Sequence, residues 1–546
     1  MKTILSALAL LALLLPGLAP AVHAQQSPAA QEEISDEQLH RTGIRQLSDD
    51  AFGGRKPLTE HEQITVDYIA DRFRSLGLQP VDGSYLQDVP LLSVKTEVKN
   101  NAVRFKGKKG AAQLRIMDDI VLWTLHAEEK LKIQNAELVF VGFGINAPEY
   151  GWNDYRDVDV KGKIAVMLVN DPGFYDDHLF RGKNYMTYYG RWTYKYEEAS
   201  RQGAAGALII HETQAASYPW SVVQNGRASD ILSLLSPTGN RELVPLQGWI
   251  TGEAARQLFQ IAGRPLDQIL DDAKKQNFKA IPLGVTATIE TVNRVRTGNS
   301  HNVAAILPGT DLKDEYIIYS AHWDHLGIGT PIDGDSIYNG AGDNASGVSA
   351  LFLIARKFAR LPQPPRRSIL FLALTAEESG LLGSEYYATH PLFPLRKTVV
   401  NFNMDGYGDK LHTTEVRASG GGLSKDIDRY IVEAAATQGK PVTFSTTNPG
   451  GGFFRSDHFN FAKAGVPVVL ASGSKPDPKA AEEHRKLSNG KSTYHQPSDE
   501  YHDWWDLTGA LEDIYLYYGI GLRIANDTRF PQWDDPTYKA AREAQK

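Results

Sequence analysis

Ile369-Leu-Phe-Leu-Ala-Leu374-Thr-Ala376-Glu377-Glu378-Ser379-Gly380 joins an apolar run to two adjacent carboxylates in a turn of small residues. The apolar part reads as a buried strand. Two adjacent acids behind such a strand are not both buried without cations. Their side chains point in different directions, so one suits a metal while the other faces the water that the metal activates. A pair of acids in the first turn of a helix, stabilised by its dipole, is the plain alternative.

That alternative does not explain why matching turns recur along the chain. Ser320-Ala-His322-Trp-Asp324-His325 follows Glu315-Tyr-Ile-Ile-Tyr319, and Asn403-Met-Asp405-Gly406 follows Thr398-Val-Val-Asn-Phe402. Asn339-Gly-Ala-Gly-Asp343-Asn-Ala-Ser-Gly347 runs into a helical segment, and Thr493-Tyr-His495-Gln-Pro-Ser-Asp499 adds a second histidine. An open α/β sheet collects side chains from the carboxyl ends of its strands into one crevice, so the pattern predicts a metal site on a doubly wound mixed sheet flanked by helices. His322, Asp343, Glu378, Asp405 and His495 are the candidate ligands, Glu377 the candidate base, and Asp324 the carboxylate that orients His322. Asp343 taken alone also reads as a helix N-cap. His325 reads as a bland neighbour. Ser456-Asp457-His458 reads either as a polar turn before a helix or as part of a substrate pocket, and the guanidinium of Arg455 beside it suits a carboxylate.

The chain has 546 residues, 42% apolar and 23% charged, enough for two or more domains. It contains no cysteine, which excludes disulfides, thiolate ligands and a cysteine nucleophile, so any zinc is held by histidine and carboxylate. A net charge of −7 without basic runs among aromatics argues against nucleic acid. Met1-Lys2-Thr3, the apolar run Ile4 to Leu15 and Val22-His-Ala24 have the form of a secretory signal cleaved after Ala24. No segment has the roughly 20 apolar residues that span a bilayer. The expectation is a protein exported to the periplasm or the medium.

Residues 25–131 read as the first part of the main unit, with helices between Glu37 and Leu78 and short strands from Val89 to about Thr124. Residues 132–290 read as a separate α/β or β-rich module, and 291–546 as the main α/β unit. The stretch Asn293 to Asn302 reads as a polar loop between them.

In order and spacing these motifs resemble the di-zinc exopeptidase family of secreted bacterial aminopeptidases, which has glutamate-carboxypeptidase-like and glutaminyl-cyclase-like relatives. The resemblance implies the zinc exopeptidase fold and two zinc ions per chain bridged by Asp343. One ion would add Glu378 and His495, the other His322 and Asp405. It makes Glu377 the general base, Asp324 the acid behind the histidine, and Arg455, Asp457 and His458 neighbours of the substrate cleft. Residues 132–290, with Gly142-Phe-Gly-Ile-Asn-Ala-Pro-Glu-Tyr150 and Ala199-Ser-Arg-Gln-Gly-Ala-Ala-Gly206, are similar to an inserted protease-associated domain. The implied activity is removal of N-terminal residues from peptides. A carboxypeptidase on the same metal core and a non-catalytic binding protein are the alternatives, and the oligomeric state is not legible.

Overall fold

The computed structural model describes residues 34–227, 229–488 and 492–545. The expected signal segment lies outside them. Among the described residues no helix is long and apolar enough to cross a membrane.

A fifteen-stranded mixed sheet runs through the molecule. On one side, Leu312–His322 lies parallel to both Arg367–Leu374 and Thr398–Asn403, and the last of these is parallel to Val468–Val469. The apolar strands Arg367–Leu374 and Thr398–Asn403 are buried along their whole length, as expected of parallel strands covered on both faces. Helices Asp36–Leu47, Glu60–Ser75, Ser346–Ala359 and Thr508–Asn526 supply much of the core on one face. Helix His458–Lys463 and the ring of Trp533 belong to the cluster on the other.

On the far side, Ile164–Leu168, Gly206–His211 and Leu246–Thr251 form a second parallel group, edged by the antiparallel strand Ile120–Trp123. Two further hydrophobic clusters, drawn from residues 103–289, cover its faces. Val103, Phe105, Leu114 and Leu122, expected in the first part of the main unit, pack in this second core instead.

The two halves meet on one 27-residue strand, Ile281–Leu307. Here the sequence expectation fails, because Asn293 to Asn302 is not a loop. Antiparallel pairing with Leu86–Val98, from Thr291↔Val98 to Val303↔Leu86, gives its main chain partners. Its buried polar side chains are bonded too: Ser300 Oγ lies 2.8 Å from Glu62 Oε1, and Asn302 Nδ2 lies 3.0 Å from Gln87 Oε1. Polar residues read as loop only when such distant partners are unseen. The expected division at 290/291 therefore falls inside a strand shared by both halves. The strands expected between Val89 and Thr124 begin, likewise, with one long strand, Leu86–Val98.

Candidate metal centre

Register brings the motifs together. Ser320 stands beside Asn403, and His322 beside Leu374, so three parallel strands release His322, Thr375-Ala376-Glu377-Glu378 and Met404-Asp405 at one end of the sheet. The turn holding Asp343 closes against them: a Cβ on Gly347 would collide with the Met404 carbonyl. Asp343 itself has non-helical backbone angles and its side chain caps no helix, which removes the N-cap reading.

One carboxylate sits centrally. Asp343 Oδ1 is 3.2 Å from His322 Nε2, and its Oδ2 is 3.4 Å from His495 Nε2. His322 Nε2 is also 3.6 Å from Asp405 Oδ1, and His495 Nε2 is 3.0 Å from Glu378 Oε2. The five candidate ligands thus group as Asp343 with His322 and Asp405, and Asp343 with His495 and Glu378. Glu377 lies with the first group, its ligand atom within 4.8 Å of those of His322 and Asp405.

His325 is no bland neighbour. It is buried, its Nδ1 lies 2.8 Å from Glu378 Oε1, and it groups with Asp343 and Glu378 as a further set able to hold an ion. Nearness in sequence to His322 hid this role, because the strand ends at His322 and His325 lies beyond it, against a partner 53 residues away.

The turns are held by buried polar groups. Asp324 accepts from the main-chain N–H of Glu377 at 2.9 Å and of Glu378 at 3.3 Å, which fixes the acid pair. His322 Nδ1 faces the Asp324 carbonyl at 3.1 Å, and the carboxylate only at 3.7 Å. Asn302 Oδ1 accepts from Thr375 N and its amide donates to Gly383 O, pinning the same turn from the long strand. Asn344 donates to the Met404 carbonyl and accepts from Gly347 N, and Asp499 accepts from Gly342 N and Asp343 N.

Behind the cluster lies Arg55, fully enclosed. Its guanidinium donates to the carbonyls of Leu47, Trp323, Asn339 and Gly340 at 2.6–2.8 Å. Burial lowers its pKa to about 10 against the attraction of Asp499, Asp324, Asp343 and Glu378. No local sequence pattern marks it, since all but one of those partners lie more than 260 residues away.

The electrostatics fit cations. Burial pushes the Glu377 carboxyl well above its usual range, and the Glu378, Asp405 and Asp457 charges push it further, against His322. Burial likewise raises Asp324, to about 7. Burial alone would lower His322, yet Glu377, Asp343 and Asp405 carry it well above the usual imidazole value. The buried Nε2 atoms of His325 and His495 have no hydrogen bond, although His495 Nε2 faces two carboxylate oxygens at contact distance. A ring nitrogen aimed at carboxylates without a bond, as at His495, is what a divalent ion between them would satisfy, and an all-N/O donor set suits zinc among others.

The 455–458 turn behaves differently from the expected substrate pocket. Asp457 is fully buried and accepts from Ser384 Oγ at 2.6 Å; His458 is buried with Nε2 on the Phe453 carbonyl at 2.8 Å. Arg455 is exposed and donates to Gly450 O. The residue that reaches the cluster is Ser456, whose Oγ donates to Asp405 Oδ2 at 2.7 Å.

Residues 302–518, which contain the whole cluster, match Peptidase family M28. Aminopeptidase YwaD of Bacillus subtilis (strain 168) is 25% identical over 501 residues, covering 89% of this chain and 85% of that protein. Aminopeptidase NAALADL1 of Rattus norvegicus is 35% identical over 129 residues, 23% of this chain and 16% of the relative. Among solved structures, an aminopeptidase from Aneurinibacillus sp. strain AM-1 aligns with a TM-score of 0.49 at 20% identity, over 92% of this chain and 95% of that one. Over residues 302–518 the chain thus resembles peptidase family M28.

Proposed function

We propose that the mature chain is an exported zinc aminopeptidase with two ions per chain, and that residues 132–290 are a protease-associated insertion. The observation that carries this is the Asp343 carboxylate, shared between His322 and His495, with Glu377 beside the His322–Asp405 pair. His322, Asp343, Asp405, Glu378 and His495 would hold the ions, with His325 beside Glu378. Bound there, the ions acidify a water and polarise the scissile carbonyl. Glu377 accepts a proton from the attacking water and passes it to the leaving amine nitrogen. Asp324 holds the main chain of Glu377 and Glu378 so that the acid stays directed at the centre.

A carboxypeptidase on the same core is the second reading. Arg455 and Arg191 flank Gly450-Gly451, and neither makes an ion pair with a described carboxylate. Paired guanidinium groups suit a C-terminal carboxylate.

The test is mass spectrometry of products after the zinc-loaded protein meets peptides with free and acetylated N-termini. Loss of single N-terminal residues from the free forms alone is expected, and C-terminal trimming would transfer the assignment. Glu377→Gln should keep its zinc and lose roughly 10²–10⁴-fold in kcat. A variant that retains most of its rate would remove Glu377 from the base role.

A further inference from the structure

Asp405 is the most exposed of the candidate ligands. Among the described residues its side chain takes one hydrogen bond, from Ser456 Oγ. That hydroxyl has a single proton, and its direction is set by what it accepts. Asn403 Nδ2 donates to Ser456 Oγ at 2.7 Å; Ser320 Oγ donates to Asn403 Oδ1, and Asn401 Nδ2 to Ser320 Oγ, both at 2.9 Å. The chain of donors therefore runs one way, from the sheet through Ser456 to Asp405.

Three of its members sit on sheet strands. Ser456 does not. It ends the turn that starts at Asn448, and Asn448 is bonded to the insertion. Asn448 N donates to Asn184 O at 2.9 Å, Met186 N donates to Asn448 O at 3.1 Å, and Asn448 Nδ2 donates to Met186 O at 3.0 Å. Its remaining side-chain atom, Oδ1, accepts from Phe453 N at 2.9 Å. The turn between has left-handed glycines, Gly450 and Gly451, and a Cβ at Gly451 would stand 2.7 Å from Met186 Sδ. The Tyr188 ring packs on those of Phe454 and Phe459, with centroids 5.8 and 4.9 Å away.

We propose that Asn448 is a positioning residue for the metal centre, clasping segment 184–188 of the insertion to the 448–456 turn so that the Ser456 hydroxyl orients Asp405. The insertion then tunes a ligand it does not touch. This rests on the reading of Asp405 as a metal ligand.

The test is zinc affinity by chelator competition on the full mature chain, with melting curves confirming that each variant is folded. Ser456→Ala should weaken the more weakly held ion by roughly 10-fold, and Ser456→Thr, which keeps the hydroxyl, should stay within about twofold of wild type. Asn448→Asp keeps the acceptor for Phe453, and replaces the donor to Met186 by a carboxylate oxygen that repels that carbonyl. It should weaken the ion by roughly threefold in the wild-type background and by less than about twofold on top of Ser456→Ala, because both act through one bond. Equal losses in both backgrounds, or no loss from Asn448→Asp, would overturn the positioning role while leaving the metal site intact. A wild-type chain that takes up no zinc would overturn the site reading and this inference together.

Discussion

Both halves of the sheet bury acids near the ends of parallel strands, yet they neutralise them by opposite means. In the half that holds residues 132–290, Asp171 follows strand Ile164–Leu168 and accepts from Thr187 N, Thr187 Oγ1 and Gly173 N. Asp154 accepts from Ile145 N and Trp152 Nε1. The amine of Lys195, fully buried and bonded to Asn170 O, supplies the counter-charge. In the peptidase half, Asp343, Glu377, Glu378 and Asp405 face histidines and one another, and the enclosed cation, Arg55, spends its donors on carbonyls. Buried charge that is matched by the chain itself is structural; buried charge that is left for an outside cation is a site.

The strongest way to break this contrast is Asp343→Ala. It should abolish activity and leave at most one ion bound, read by metal analysis of the purified protein, while the other half of the sheet stays folded. Full zinc content in that variant would deny the carboxylate its shared place.

Lys195→Met tests the other half. Burial lowers the Lys195 pKa to about 7, against Asp171 and Asp154, and removing the amine strands two buried acids. A loss of about 3–5 kcal/mol in unfolding free energy is expected. Because Asp171 also holds Thr187, zinc affinity should fall by no more than the roughly threefold expected of Asn448→Asp. A larger fall would show that the two networks are not separate.

The smallest effect is a pH dependence outside both networks. His40 is buried, with Nε2 on the Tyr407 carbonyl and Nδ1 on Ser349 Oγ. Burial lowers its pKa from 6.5 to about 4, only partly offset by those bonds. The unfolded chain therefore binds the proton more readily between these values. Its contribution is complete above pH 6.5 and is lost as pH falls towards 4, by at most about 3 kcal/mol. His40→Gln should flatten that part of the stability profile; an unchanged slope would place the titrating group elsewhere.

The chain order of apolar runs and small-residue turns was enough to read the parallel strands and the helices Ser346–Ala359 and Lys425–Thr437, and to name His322, Glu378, Asp405 and His495 as neighbours of Asp343. Those features are local: a strand announces itself by its own composition, and a ligand by the turn that follows. The strand Ile281–Leu307 escaped because its polar middle is paid for by partners on Leu86–Val98. His325 escaped because its partner is 53 residues away, and Arg55 because it binds three separate turns. Ser456 was read only as part of a weak Ser456-Asp457-His458 signal, because its partner Asp405 is 51 residues away, while Asp457 and His458 are buried.

The amino-acid order by itself determined which residue types arrive at the strand ends, and so the class of chemistry. Only the tertiary structure decided which of them face each other and which are sealed. The reason is that hydrogen-bond partners and burial depend on segments far apart in the chain, whose meeting no local pattern records.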